Sequence, residues 1–179
     1  MDDVQKLNEI VADCKLGREE AFNKLVDMYA TRCYSYFYRL TADHAKSDDL
    51  LSELFTRLVT RIRSFRGGSF EKWLFTIASN IFHDHLRRQY RQKKLLDARA
   101  SELQRETQPT RAETQMIDKL QDRLSKLDDD TSELLTLRFY GRLSFKELAE
   151  IRGEPIGTML SKVHRGLKKL KELMEKGDD

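Results

Sequence analysis

Between Leu143 and Leu173 the chain reads LSFKELAEIRGEPIGTMLSKVHRGLKKLKEL, and its punctuation allows little besides two helices joined by a very short turn. Ser144 followed by Glu147 is a capping box, in which hydroxyl and carboxylate each satisfy a backbone N–H left unpaired at a helix start. A helix therefore begins at Phe145. Phe145, Leu148, Ala149 and Ile151 give it an apolar side, and Gly153 can take the left-handed conformation that ends a helix. Pro155 suits the first position of the next helix, where its missing N–H costs nothing. From there Ile156, Met159, Val163, Leu167, Leu170 and Met174 recur at three- and four-residue spacing as one buried stripe. The opposite face carries Thr158, Ser161, Lys162, Arg165, Lys168 and Lys169. A basic helix after so tight a turn can enter a DNA major groove, with its first turns at base edges and its later lysines at phosphates. It also fits a solvated face on an ordinary hairpin, so the rest of the chain has to decide.

Two prolines, eight glycines and 35% charged residues among 179 favour helices with solvated faces, hence an all-α protein. The length suits two small helical domains. No apolar run approaches the roughly 18 residues that span a bilayer, and MDDVQKLNEI lacks the order of a secretory signal. No membrane insertion and a cytoplasmic location are expected. Cys14 and Cys33 stand far apart without a CxxC, which supports neither a zinc site nor a disulfide framework; Cys33 is expected in a core. The net charge of +3 hides an alternation: residues 1–60 carry −3, 61–96 carry +7, 97–136 carry −4 and 137–179 carry +3. Two basic blocks flank an acidic one, as in a protein that touches nucleic acid at two places.

The first block is the more informative. Helical patterns run through Val4, Leu7, Ile10, Val11 and Cys14, and after Gly17 through Phe22, Leu25, Val26, Tyr29, Cys33, Tyr36, Phe37 and Leu40. A third helix, about residues 45–65, turns Leu51, Leu54, Phe55, Leu58 and Ile62 inward. It leaves Asp48, Asp49, Glu53, Arg57 and Arg61 outside. That order of charge matches the helix macrodipole and by itself needs no partner. After Gly67 and Gly68, Ser69 can cap a helix continuing through Phe70, Leu74, Ile77, Ala78, Ile81 and Leu86. Phe65, Arg66, Phe70, Lys72 and Trp73 mix aromatic and basic groups around this loop, as single-stranded DNA sites do, although Phe70 and Trp73 also suit a core. Arg87, Arg88, Arg91, Lys93 and Lys94 then crowd eight residues without an acid, which points to phosphates. His83, Asp84 and His85 do not make a metal site, because neighbours on a helix diverge by about 100°. No phosphate-binding loop or nucleophile turn is present, so catalytic residues, metal and cofactors are expected to be absent. Residues 95–115 lose the apolar period and read as a polar linker. Met116, Ile117, Leu120 and Leu124, and then a helix capped by Thr131 and ending at Gly141, complete a four-helix C-terminal module.

In this order the pieces resemble the sigma-70 superfamily of transcription initiation factors, specifically the short two-domain extracytoplasmic-function (ECF) group. The likeness rests on AFNKLVDMYATRCYSYFYRLTADHAKSDDLLSELFTRLVTRIRSF, FRGGSFEKWLFTIASNIFHDHLRR and LTLRFYGRLSFKELAEIRGEPIGTMLSKVHRGLKKLKEL. It implies sigma domain 2 over residues 1–94, a linker over 95–115 and helix-turn-helix sigma domain 4 over 116–179. Asp48, Asp49, Leu50, Glu53 and Phe55 match the helix that docks on the clamp helices of core RNA polymerase. The loop from Phe65 to Trp73, with Asn80 and Asp84, matches the part that captures an unstacked minus-10 base, while Arg87, Arg88 and Arg91 would hold the adjacent backbone. Thr158, Ser161, His164 and Arg165 match positions facing the minus-35 groove, with Lys162, Lys168 and Arg138 on the backbone. Leu160 departs from the Arg or Lys common there and offers an apolar surface, for example to a thymine methyl. The resemblance further implies core RNA polymerase, promoter DNA and an anti-sigma factor as partners. No further domain follows in the pattern, so regulation is expected from outside the chain or through its abundance. If about six phosphates are neutralised, affinity should fall roughly a thousandfold between 50 and 200 mM salt.

Two rivals differ in kind. An ordinary helix-turn-helix regulator with an N-terminal sensing or dimerisation domain would bind duplex specifically without polymerase. A helical protein adaptor would tolerate Arg165→Ala and Arg88→Ala.

Overall fold

A computed structural model of the chain describes residues 2–99 and 115–175, and all regular structure among them is helical. The order is α1 (Asp2–Lys15), α2 (Glu19–Thr41), α3 (His44–Arg61), a 3-10 turn (Ile62–Ser64), α4 (Phe70–Arg99), α5 (Gln115–Leu124), α6 (Asp129–Phe139), α7 (Phe145–Arg152) and α8 (Ile156–Glu175). The expected start of a linker at residue 95 falls inside α4, which runs on to Arg99. The remainder of that linker, residues 100–114, lies outside the described residues.

Helices α1–α4 form the N-terminal module. Gly17, at φ +81°, turns the chain between α1 and α2. Ile10, Val11 and Cys14 are buried as their spacing predicts, whereas Val4 is exposed and Val26 sits at the surface of α2. Tyr36 packs edge-on against Phe37 and Phe75, with ring centroids 5.2 and 5.6 Å apart, an arrangement worth about 0.5–1.5 kcal/mol per pair beyond area burial. Burial pushes the Cys14 thiol up to about 11 and the Cys33 thiol up to about 12, so both are packing groups and poor nucleophiles.

Helices α5–α8 form the C-terminal module. Asp128 caps α6 by accepting from the Thr131 N–H at 2.9 Å, so the cap lies three residues before the expected Thr131. Gly141 must lack a side chain, because a Cβ there would lie 2.5 Å from the Leu137 carbonyl oxygen. Gly166 lets α8 approach α6, since a Cβ would fall 2.8 Å from the Thr131 methyl. The buried stripe of α8 is accordingly Met159, Val163 and Gly166, with Leu170 and Leu173 half-buried. Ile156, Leu167 and Met174, expected inside, are exposed.

The two modules touch: α2 packs on α5 and α6, and α4 on α7. Arg32 Nη2 donates to the Gly141 carbonyl at 2.8 Å, Arg39 Nε to the Tyr140 hydroxyl at 2.9 Å, and Gln121 Nε2 to the Arg39 carbonyl at 2.9 Å.

Candidate nucleic-acid interface

The helix-turn-helix is built as its sequence dictates. The Ser144 N–H donates to Glu147 Oε2 at 2.8 Å, while the Glu147 N–H donates back to Ser144 Oγ at 3.3 Å. Gly153 closes α7 at φ +66°. Pro155 stands one position earlier than expected. Its carbonyl accepts from the Thr158 and Met159 N–H groups at 2.9 and 3.2 Å, which makes it the residue flanking α8, with Ile156 the first inside.

At 3.6 residues per turn, Thr158, Ser161, His164, Arg165 and Lys168 fall within about a third of the circumference of α8. Ser161, His164, Arg165 and Lys168 are exposed there, and Thr158 is half-buried at the first turn. Leu160, 47% exposed, borders the same face. Two expected contacts are engaged elsewhere. Lys162 Nζ donates to Glu154 Oε1 at 2.8 Å and lies 3.5 Å from Asp130 Oδ2, acids that raise its pKa. Arg138 Nη1 donates to the Leu143 carbonyl at 3.0 Å, and its guanidinium lies over the Phe145 ring, bracing the turn before α7.

In the N-terminal module Ser69 caps α4, its Oγ accepting from the Lys72 N–H at 3.1 Å. Phe65, Phe70 and Trp73 form a triangle with centroids 5.4–5.7 Å apart, Tyr29 packs on Phe70, and Lys15 Nζ lies over Phe65. Phe65 and Phe70 are buried, so of the three only the half-buried Trp73 shows a surface to solvent. Gly67 and Gly68, at φ +98° and +86°, carry Arg66 and the loop around this cluster. Trp73, Asn80, Asp84, Arg87 and Arg91 share one stripe of α4 by helical spacing. Asn80, Arg87, Arg88 and Arg91 are exposed, and Lys72 is ion-paired with Glu150 of α7.

The basic end of α4 is less lonely than its sequence suggests. Asp84 Oδ1 accepts from Arg87 Nη2 at 2.9 Å, Asp84 Oδ2 lies 3.5 Å from Arg57, and Arg88 lies 4.0 Å from Glu53, which also pairs with Arg57. Glu53 is thus tied to α3 and α4. Asp48 and Asp49 remain exposed, Phe55 is half-buried, and Leu50 belongs to the core at 4% exposure. His83 and His85 diverge as helix geometry requires: the first meets Glu133 at 2.9 Å, while burial and Lys46 lower the pKa of the second.

Glu133 was not singled out by sequence reasoning. It is buried on α6 and joined to residues of both modules. The available signal was Leu134 and Leu137 on one face with Leu135 about 100° round from Leu134, an apolar arc of nearly half the helix circumference. An arc that wide is wider than the stripe of a surface helix, and the helix is indeed buried at every position from Ser132 to Leu137.

The family described as Sigma-70 region 2 matches residues 25–92, and that described as Sigma-70, region 4 matches residues 117–170. The chain is 31% identical to the ECF RNA polymerase sigma factor BldN of Streptomyces coelicolor, covering 96% of this chain and 67% of that one. It is 32% identical to the RNA polymerase sigma factor CarQ of Myxococcus xanthus, over 88% and 91% of the two chains. The sigma factor RpoE of Bartonella quintana, solved with the anti-sigma factor NepR, has the same fold: TM-score 0.70, 24% identity, 86% of this chain and 96% of that one.

Proposed function

The chain belongs to the sigma-70 family of RNA polymerase sigma factors, within its ECF group, and we propose a division of its work among the surfaces described above. As a sigma factor it binds core RNA polymerase and directs promoter-specific initiation. Asp48 and Asp49, with Phe55 and Glu53 beside them, dock on the clamp helices, and Leu50 holds that helix to its own core. The Trp73–Arg91 stripe of α4 takes the minus-10 element: Trp73 and Asn80 receive an unstacked base, Asp84 orients Arg87, and Arg87, Arg88, Arg91 and the loop residue Arg66 hold the backbone. Phe65 and Phe70 act beneath, as the packed floor that fixes Trp73. Lys72 joins the minus-10 contacts once released from Glu150. Ser161, His164 and Arg165 meet minus-35 base edges, Thr158 and Lys168 flank them, and Leu160 supplies an apolar contact. Lys162 and Arg138 serve mainly to hold the module together.

The protein performs no catalysis of its own; polymerase supplies the chemistry, and the place of work is the cytoplasm. Two tethered modules act together because the second contact becomes intramolecular once the first has formed. An anti-sigma factor is a partner by analogy with the RpoE complex.

The observation that carries this reading is the exposed face of Ser161, His164, Arg165 and Lys168 on α8, set outward by the buried Met159, Val163 and Gly166. A promoter mapped with the holoenzyme and labelled with 2-aminopurine at minus-10 tests the division. Arg165→Ala should weaken binding and leave opening of the bound promoter intact, whereas Asn80→Ala should do the reverse. Equal effects on both steps from both variants would refute it.

A further inference from the structure

Where α3 packs on α4, two acids and two arginines stand at the corners of a square in which the signs alternate. Glu53 and Arg57, four residues apart on α3, are ion-paired with each other. Asp84 and Arg88, four residues apart on α4, face them: Arg57 Nη2 lies 3.5 Å from Asp84 Oδ2, and Arg88 Nη1 lies 4.0 Å from Glu53 Oε2. Asp84 uses its other oxygen to accept from Arg87 Nη2 at 2.9 Å. Compensation of the helix macrodipole, the role that charge order suggests for Arg57, accounts for none of these contacts between helices.

The three arginines differ in where they point. Arg87 and Arg88 keep 68% and 61% of their side chains exposed, Arg57 only 23%. The first two can reach an anion in solvent, whereas Arg57 is turned between the helices with Glu53 and Asp84 against it. Ion pairs this open to water add little to stability, and α3 is already held by the buried Leu54 and Leu58. What the square fixes is direction, since each acid turns one arginine of α4. An acid that holds an arginine also neutralises it, however. Glu53 and Asp84 against Arg87 and Arg88 alone leave no net charge; with Arg57 the five groups carry +1, and each carboxylate is shared between two guanidiniums.

We propose that Arg57 is a positioning residue for the minus-10 strand: by sharing Glu53 and Asp84 it lets those acids aim Arg87 and Arg88 at phosphates without cancelling their charge. The inference rests on the reading of α4 as the minus-10 surface and adds to it a residue that does not itself touch DNA. A guanidinium suits the task because Nη2 alone carries two N–H groups, and that nitrogen of Arg57 lies against both carboxylates. In its absence each acid has one guanidinium left. Asp84 then closes on Arg87 and Glu53 on Arg88, and both arginines offer the strand a neutralised pair.

The salt dependence of holoenzyme binding to a single strand tests this, because log affinity falls against log salt by about 0.7 for each phosphate neutralised. Holoenzymes made with the full chain as wild type, Arg57→Gln, Asp84→Asn and the double variant are titrated with a fluorescent oligonucleotide of the mapped minus-10 strand and with a scrambled one. Thermal unfolding of each chain checks its folding, and Arg57→Met, which keeps an unbranched apolar stem, repeats the test should the amide disturb α3. Arg57→Gln should flatten the slope by about 0.7, so that the affinity lost between 50 and 200 mM salt shrinks by about 2.5-fold. In the Asp84→Asn chain the same substitution should flatten it by at most half as much, the part that runs through Glu53. An unchanged slope in Arg57→Gln, whether or not the chain is less stable, would overturn the proposal. So would more than half of the flattening persisting without Asp84, the mark of a residue that meets phosphate itself. If the wild-type holoenzyme holds both strands equally, the minus-10 reading fails instead, and the slopes on the scrambled strand still decide whether Arg57 acts through Asp84.

Discussion

The two surfaces proposed to read DNA are built in opposite ways. On α8 the proposed reading side chains stand on the outer face of a helix whose inner face is packed, so Ser161, His164, Arg165 and Lys168 carry little of the core. At the Phe65–Trp73 loop the aromatic residues nearest the reading surface are themselves core, with Phe65 and Phe70 buried beneath a half-exposed Trp73. A duplex offers base edges to a preformed helix at no cost in its own pairing. An unstacked base needs a rigid floor and walls, because its extrusion costs a few kcal/mol that a loose pocket could not return. The difference teaches that substitutions on α8 should separate binding from stability, whereas those at the loop should not.

The strongest way to break this contrast is Phe70→Ala. It removes a ring packed against Phe65, Trp73 and Tyr29 and should cost about 3–5 kcal/mol of stability, read by denaturant unfolding. Unchanged unfolding with lost promoter opening would mean that Phe70 is a stacking residue after all. Next, Arg165→Ala should cost about 1–3 kcal/mol of holoenzyme affinity for a minus-35 site, seen as a tenfold to hundredfold loss in a binding titration, with unfolding unaltered. Ser144→Ala probes the platform beneath it. Losing the capping box should lower stability by about 1 kcal/mol, with promoter affinity falling only as far as folding does.

The smallest effect concerns pH. The Glu133 hydrogen bond raises the His83 pKa above its ordinary 6.5, against burial and the charges of Arg152 and Arg87. A raised imidazole pKa stabilises this contact between the modules fully below 6.5, and that contribution disappears as pH climbs through the raised value. Glu133, lowered from 4.5, contributes above 4.5 and loses its contribution as pH falls through the lowered value. The contact between the modules should therefore be tightest below pH 6.5 and loosen as pH climbs through the raised His83 value, followed by small-angle scattering, and His83→Gln should flatten that trend.

Local rules made much of this legible in the sequence. The capping box, Gly153 and the Ser69 cap are short-range and appear as written. The α8 stripe was read one position off at Leu167 and Met174, because Gly166 has no apolar side chain to register in a periodicity, yet its bare surface is what lets α6 come close. Lys162 and Arg138 look like free cations in one dimension, and their partners Glu154, Asp130 and the Leu143 carbonyl emerge only once the turns are folded. Glu133 was hidden for the same reason at longer range: three of its partners lie 50 or more residues away.

The central claim is that this chain gives core RNA polymerase a promoter preference through two separate surfaces. Transcription by purified core polymerase on fragmented genomic DNA, with and without the full chain, tests it most directly. The account predicts new start sites sharing two upstream elements at constant spacing, weakened by Arg165→Ala through the upstream element and by Asn80→Ala through the downstream one. The same start sites with and without the chain would contradict it.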